Sequence, residues 1–77
     1  MSAELVAYLA RQLVDDPGAV RVDEVEERDS VVLRLHVAPA DVGKVIGRRG
    51  RVARALRTVV RASAARGERR VQLEIVG

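Results

Sequence analysis

Two glycines, Gly47 and Gly50, bracket two arginines, Arg48 and Arg49, and Arg51 follows directly. Glycine lets a backbone turn tightly and bring its N–H groups against a ligand with no Cβ in the way. A helical pattern begins just after. The start of a helix offers unpaired N–H groups and the positive end of its dipole, a natural seat for phosphate. Guanidinium groups add permanent charge and grip phosphate oxygens through two parallel hydrogen bonds. Residues 47–51 therefore read as a clamp for a nucleic-acid backbone. The bland alternative is a helix–turn–helix connection whose glycines only make it compact.

A bare Gly-x-x-Gly arises by chance in roughly a third of chains this long at ordinary glycine usage, so context decides. Upstream, Val42, Val45 and Ile46 have i, i+3, i+4 spacing; downstream, Val52, Leu56, Val59 and Val60 begin a second helical stripe. Other phosphate-binding loops do not fit. No GxxxxGK string followed by Ser or Thr occurs, and Gly43 and Gly47 are wrongly spaced for a dinucleotide fingerprint. Two adjacent arginines at the tip favour the clamp.

Charge sharpens this reading. Residues 1–41 hold four arginines against nine acids, a net −5, while residues 42–77 hold ten basic residues against two acids, a net +8. Such polarisation favours a polyanionic partner on one face. Enzyme chemistry has little to work with. One histidine, His36, and no cysteine exclude thiolate metal sites, multi-histidine metal sites and most triads. His36 alternates with core positions and reads as a solvent-facing or groove-edge strand residue. Glu24, Glu26, Glu27 and Asp29 read as a charged, edge-protecting strand and turn. At 77 residues the chain is one domain. No apolar run approaches the ~20 residues needed to cross a bilayer, and the N-terminus lacks a secretory signal pattern. A cytoplasmic protein is the expectation.

The elements that must position the clamp follow from periodicity. A helix over about Ala3–Val14 would be capped by Ser2 and bury Leu5, Leu9 and Leu13, with Tyr8 on the core side. Ala19–Glu27 reads as a strand whose alternation breaks after Val22, which predicts a bulge. Val31–Ala38 alternates cleanly, and Arg28-Asp29-Ser30 joins the two as an antiparallel hairpin. A short helix spans about Ala40–Ile46, with Asp41 complementing its dipole and Gly47 ending it. Lys44 lies off its apolar stripe, available to either a structural or a binding role. A third helix, about Arg51–Arg66, would bury Val52, Ala55, Leu56, Val59, Val60 and Ser63, with Arg54, Arg57 and Arg61 opposite and Gly67 at its end. Val71, Leu73 and Ile75 mark a last strand. The order α-β-β-α-α-β predicts an α+β fold: a three-stranded mixed sheet, its last strand parallel to the second, with three helices on one face.

The β-α-GxxG-α-β arrangement from Val31 to Val76, with its N-terminal helix and strand, resembles a type II KH domain. KH modules use a GXXG loop to clamp about four nucleotides by the backbone. LVDDP, VAPADVGKVIGRRGR and VQLEIVG, at this overall length, resemble the KhpA family of small bacterial proteins with a single KH domain. That resemblance covers essentially the whole chain, with residues 1–30 as an extension on a core of 31–77. It implies binding of single-stranded RNA, of the RNA-chaperone or post-transcriptional-regulator type, with no cofactor. It also implies pairing as a homodimer, or as a heterodimer with a second KH-containing protein, and links to RNA metabolism or cell-shape control. Position by position, Gly47, Arg48, Arg49 and Gly50 match the clamp. Val45 and Ile46 match the apolar lip of the groove, and Arg51 and Arg54 lie where they could reach successive phosphates. A protein-interaction scaffold with RNA contact secondary is the alternative. Without Phe or Trp for base stacking, one module should bind modestly, and a dimer would raise its effective affinity.

Overall fold

The computed structural model describes residues 2–63 and 70–77. Helix α1 runs Ser2–Leu13, one residue earlier at each end than the pattern predicts, with Ser2 inside the helix. A 3-10 turn at Pro17–Ala19 leads into β1, Arg21–Glu26, and β2, Ser30–His36. A second 3-10 turn, Pro39–Asp41, precedes α2, Val42–Ile46. A third 3-10 turn, Arg48–Gly50, joins α2 to α3, Arg51–Ser63, and β3 is Arg70–Val76. The expected burial of Ser63, the helix's extension to Arg66 and its end at Gly67 lie outside what is described.

The sheet has the order β1-β2-β3, antiparallel then parallel, as the hairpin turn and the two-helix crossover predict. One expectation about it fails. β1 pairs with β2 without interruption from Arg21↔His36 to Glu26↔Val31, so there is no bulge after Val22. Val25 breaks the alternation because it points to the opposite face, where it is 39% exposed. The hairpin closes with the Glu27 N–H donating to the Ser30 carbonyl (2.8 Å) and the Ser30 hydroxyl to Glu27 Oε1 (3.1 Å).

The helices cover the face carrying Leu33, Leu35 and Leu73. Against it α1 places Val6, Ala7 and Ala10, and α3 places Ala53, Leu56 and Val60. The Leu5-Leu9-Leu13 row is therefore not the buried stripe. Small side chains at positions 7 and 10 let α1 approach the sheet closely, and the leucines are left on its flank, with Leu5 and Leu13 exposed. Tyr8 is 59% exposed rather than in the core, because two residues turn a helix through about 200° from the buried Val6. Ala55 is likewise exposed, and Ala53 takes the buried position.

The other face of the sheet carries no helix. A row of Asp23, Arg34 and Glu74 crosses it, with Arg34 Nη2 3.3 Å from Glu74 Oε1. Asp23 also meets Arg21 (3.4 Å) and His36 Nε2 (2.9 Å). Opposite charges across strands offset one another along that row.

Candidate nucleic-acid interface

Local geometry explains why the chain turns where it does. Gly47 ends α2 with φ 76° and donates its N–H to the Gly43 carbonyl at 2.9 Å. A Cβ there would lie 2.9 Å from the Val52 backbone nitrogen and overlap the Val52 side chain, so no other residue fits. Gly50 also has positive φ, 73°, yet a Cβ on it would meet nothing within 4 Å. The glycines thus do different work: Gly47 lets two helices pack, and Gly50 leaves open space beside the loop. The N–H groups of Gly50 and Arg51 close the 3-10 turn onto the carbonyls of Gly47 and Arg48.

Between the glycines, Arg48 and Arg49 are exposed and form no ion pair with any described residue. Arg49 is held at φ 57°, ψ 26°, the one non-glycine with positive φ among the described residues. That conformation costs an L-residue roughly 1–2 kcal/mol. Arg54 Nη2 donates to the Arg49 carbonyl at 3.0 Å, bracing the turn from the first coil of α3. Ile46 is 38% exposed at the end of α2. Val45 corrects the sequence reading: it is wholly buried in the core and cannot form the groove's lip, because its side chain points at the sheet while Ile46 points out.

From the loop, α3 presents two different flanks. Arg54, Arg57 and Arg61, at i, i+3 and i+7, share one of them. Arg57 and Arg61 line a cavity of about 520 Å³ between α3 and β3, with Arg70, Gln72 and the apolar floor of Val60, Val71 and Leu73. The guanidiniums of Arg57 and Arg61 beside an aliphatic floor suit a strand of phosphates with bases beneath it. Sequence alone placed Arg57 and Arg61 opposite the buried stripe without linking them to β3. The signal was the stripe on α3 combined with a parallel β3 that returns beside it. On the opposite flank, Leu9, Leu13, Val52, Ala55, Leu56 and Val59 line an apolar groove of about 430 Å³ between α1 and α3. Arg51 lines the rim of that groove and, three residues before Arg54, lies about 60° from it around α3.

Lys44 and Asp41 belong to a separate cluster. Asp41 occupies the N-cap position of α2, but its side chain makes no capping hydrogen bond. Its carboxylate is buried and accepts the N–H groups of Asp15 (3.3 Å) and Asp16 (3.1 Å), while Lys44 Nζ lies 2.8 Å from Asp15 Oδ2 and 3.3 Å from Asp41 Oδ1. Burial pushes the Asp41 carboxyl up, but the two N–H donors and Lys44 outweigh it and hold its pKa below the ordinary 3.8. The hydrogen bonds to Asp15 and Asp41 raise Lys44 above 10.5. A depressed carboxyl stabilises the fold above its unfolded value and loses that effect as pH falls through its folded value. A raised ammonium does so below its unfolded value and loses it as pH climbs through its folded one. The cluster is at full strength between these limits.

A mixed three-stranded sheet in the chain order α-β-β-α-α-β, with a Gly-x-x-Gly turn between two helices, defines a KH domain of type II. Comparison with known proteins agrees. A family model described as "KhpA/KhpB, KH domain" matches residues 3–75. A protein of Treponema pallidum named "RNA-binding protein KhpA" is 53% identical over 76 residues, covering 99% of this chain and 95% of its own. One of the same name from Caldanaerobacter subterraneus subsp. tengcongensis is 49% identical over 73 residues, covering 95% and 97%. Among solved structures, Aquifex aeolicus Era bound to GDP.AlF4- superposes with a TM-score of 0.63 at 20% identity. That match covers 96% of this chain but only 29% of Era, and it bears on the fold alone. The chain belongs to the KhpA/KhpB KH-domain family.

Proposed function

We propose that this protein binds single-stranded RNA, holding about four nucleotides of backbone at Gly47–Gly50 and running the strand along the basic flank of α3. The observation that carries this is the exposed, unpaired Arg48–Arg49 pair at the tip of a glycine turn, continuous with Arg54, Arg57 and Arg61. Arg49 keeps a strained backbone that glycine would relieve, and a functional charge is a reason to hold it there. Relatives of nearly equal length named RNA-binding proteins support the same reading. The role is that of a non-catalytic RNA chaperone or post-transcriptional regulator in the cytoplasm; no described helix is long and apolar enough to cross a membrane. Tyr8, the sole aromatic, does not line the cavity, so bases rest on aliphatic side chains and single-module affinity is modest.

An NMR titration with a single-stranded RNA 12-mer tests this. Amide shifts should concentrate at Arg48, Arg49, Gly50, Arg57, Arg61 and Leu73. Affinity should fall with salt at a slope of about −2 to −3, as expected for three or four phosphates. Shifts confined to Val25, Val32 and Arg34 on the outer sheet face would refute it.

The α1–α3 groove favours a second, compatible activity, pairing with another KH domain, a second copy of this chain included. Valine and leucine line it almost without polar interruption. Val59→Arg is expected to abolish concentration-dependent dimerisation in sedimentation velocity while the monomer stays folded. RNA affinity should then drop severalfold through lost effective concentration. A wild-type chain that is monomeric at 100-fold higher concentration than its RNA-binding range would remove this activity.

A further inference from the structure

Asp41 is the one buried charged side chain among the described residues, 2% exposed, and the RNA surface makes no use of it. Its two oxygens satisfy backbone N–H groups 25 and 26 residues earlier in the chain. Lys44, three residues on and inside α2, closes the set onto Asp15. The cluster thus ties the end of α1 to the beginning of α2. Five residues are too few for a helix to hold its own position, so α2 is placed by tertiary contacts. Val45 in the core is one such contact, and the Asp41 cluster is the other. Nothing slackens the connection from α2 to the clamp. Gly47 bonds back to Gly43, and its α-carbon packs too closely on Val52 to admit a methyl group. Any rotation of α2 therefore moves Arg48 and Arg49.

We propose that Asp41, with Lys44 and Asp15, positions the Gly47–Gly50 clamp and so sets RNA affinity without touching RNA. This rests on the RNA-binding reading above. It also reassigns Lys44. A lysine three residues before the clamp would ordinarily be counted as a phosphate contact, but here two carboxylates hold it.

The test compares the full chain with Asp41→Asn and Lys44→Gln, each at a temperature where circular dichroism shows it folded. The first readout needs no RNA. Amide hydrogen exchange at Gly47 and Gly50 should quicken about tenfold in both variants, while the Leu33 and Leu35 amides keep their protection. Unchanged exchange at both glycines overturns the proposal. The second readout is affinity for a fluorescein-labelled 12-nucleotide oligouridine. Both variants should bind about 3–10-fold more weakly, as a slightly misplaced clamp would, with the same slope of log K against log salt. A slope lowered by about 0.7 in Lys44→Gln would instead make Lys44 a direct phosphate contact and overturn the proposal. Quickened exchange in a chain whose wild type binds no RNA would sink the RNA reading and leave the loop-positioning role standing.

Discussion

Replacing Arg48 and Arg49 together with aspartate is expected to leave the domain folded and to weaken its binding to single-stranded RNA by about 10²–10⁴-fold. Both side chains are exposed and unpaired among the described residues, so the fold loses nothing by their removal. Charged hydrogen bonds to phosphate are worth roughly 1.5–3 kcal/mol each, and 1.4 kcal/mol is a factor of ten. Two such bonds account for the range, and repulsion from the new carboxylates adds to it. The salt slope should also become shallower, since fewer counterions are released. Gel shift at two salt concentrations, with circular dichroism as the fold control, reads all of this. Equal binding by both proteins would mean that the loop is not the site.

The two glycines should part company under the same substitution. In Gly47→Ala a methyl group meets the Val52 backbone at a positive φ, which combines left-handed strain of roughly 1–2 kcal/mol with overpacking of about 1–3 kcal/mol. A domain of this size should lose about 10–40 °C in Tm. Gly50→Ala carries only the left-handed strain, because its methyl projects into open space. Its Tm should fall by only about 4–16 °C. RNA binding should nevertheless suffer in Gly50→Ala, where the methyl occupies space a sugar–phosphate strand would need. Thermal melts and gel shifts of the two variants side by side separate the hinge from the contact surface. Equal melting temperatures would contradict the packing of Gly47 against Val52.

Much of this architecture was legible because it obeys local rules. Alternation at Val31-Leu33-Leu35 and Val71-Leu73-Ile75 marked two strands and their buried face, and the glycine–arginine run marked the turn between helices. The failures share a cause, which is that a single sequence cannot show what an element packs against. Leucines at positions 5, 9 and 13 look like a core stripe, but close approach to a sheet selects Ala7 and Ala10, and Leu9 and Leu13 line a second surface. The same phase error put Ala55 inside α3 instead of Ala53: both flanks of that helix near Leu56 carry small or apolar residues, so the stripe is wider than the buried strip. Val45 and Ile46 are adjacent and equally apolar, and only the placement of α2 sends one inward and one outward. Asp41 looked like a dipole-complementing acid. Its real partners, Asp15 and Asp16, lie too far away in the chain for any periodicity to reveal them.

The parallel pairing of β2 with β3 bears on how the domain is made. Every rung of that ladder, from Ser30↔Arg70 to His36↔Val76, joins residues 40 positions apart. Hairpin β1–β2 can zip up on the microsecond scale, but it leaves Leu33 and Leu35 without their neighbour Leu73. Closing so long a loop sacrifices chain entropy before any rung returns energy, so docking of β3 sets the barrier, and folding belongs with mixed α/β domains rather than helical bundles of similar size. The basic cavity, walled on one side by β3, does not exist until that slow step is complete.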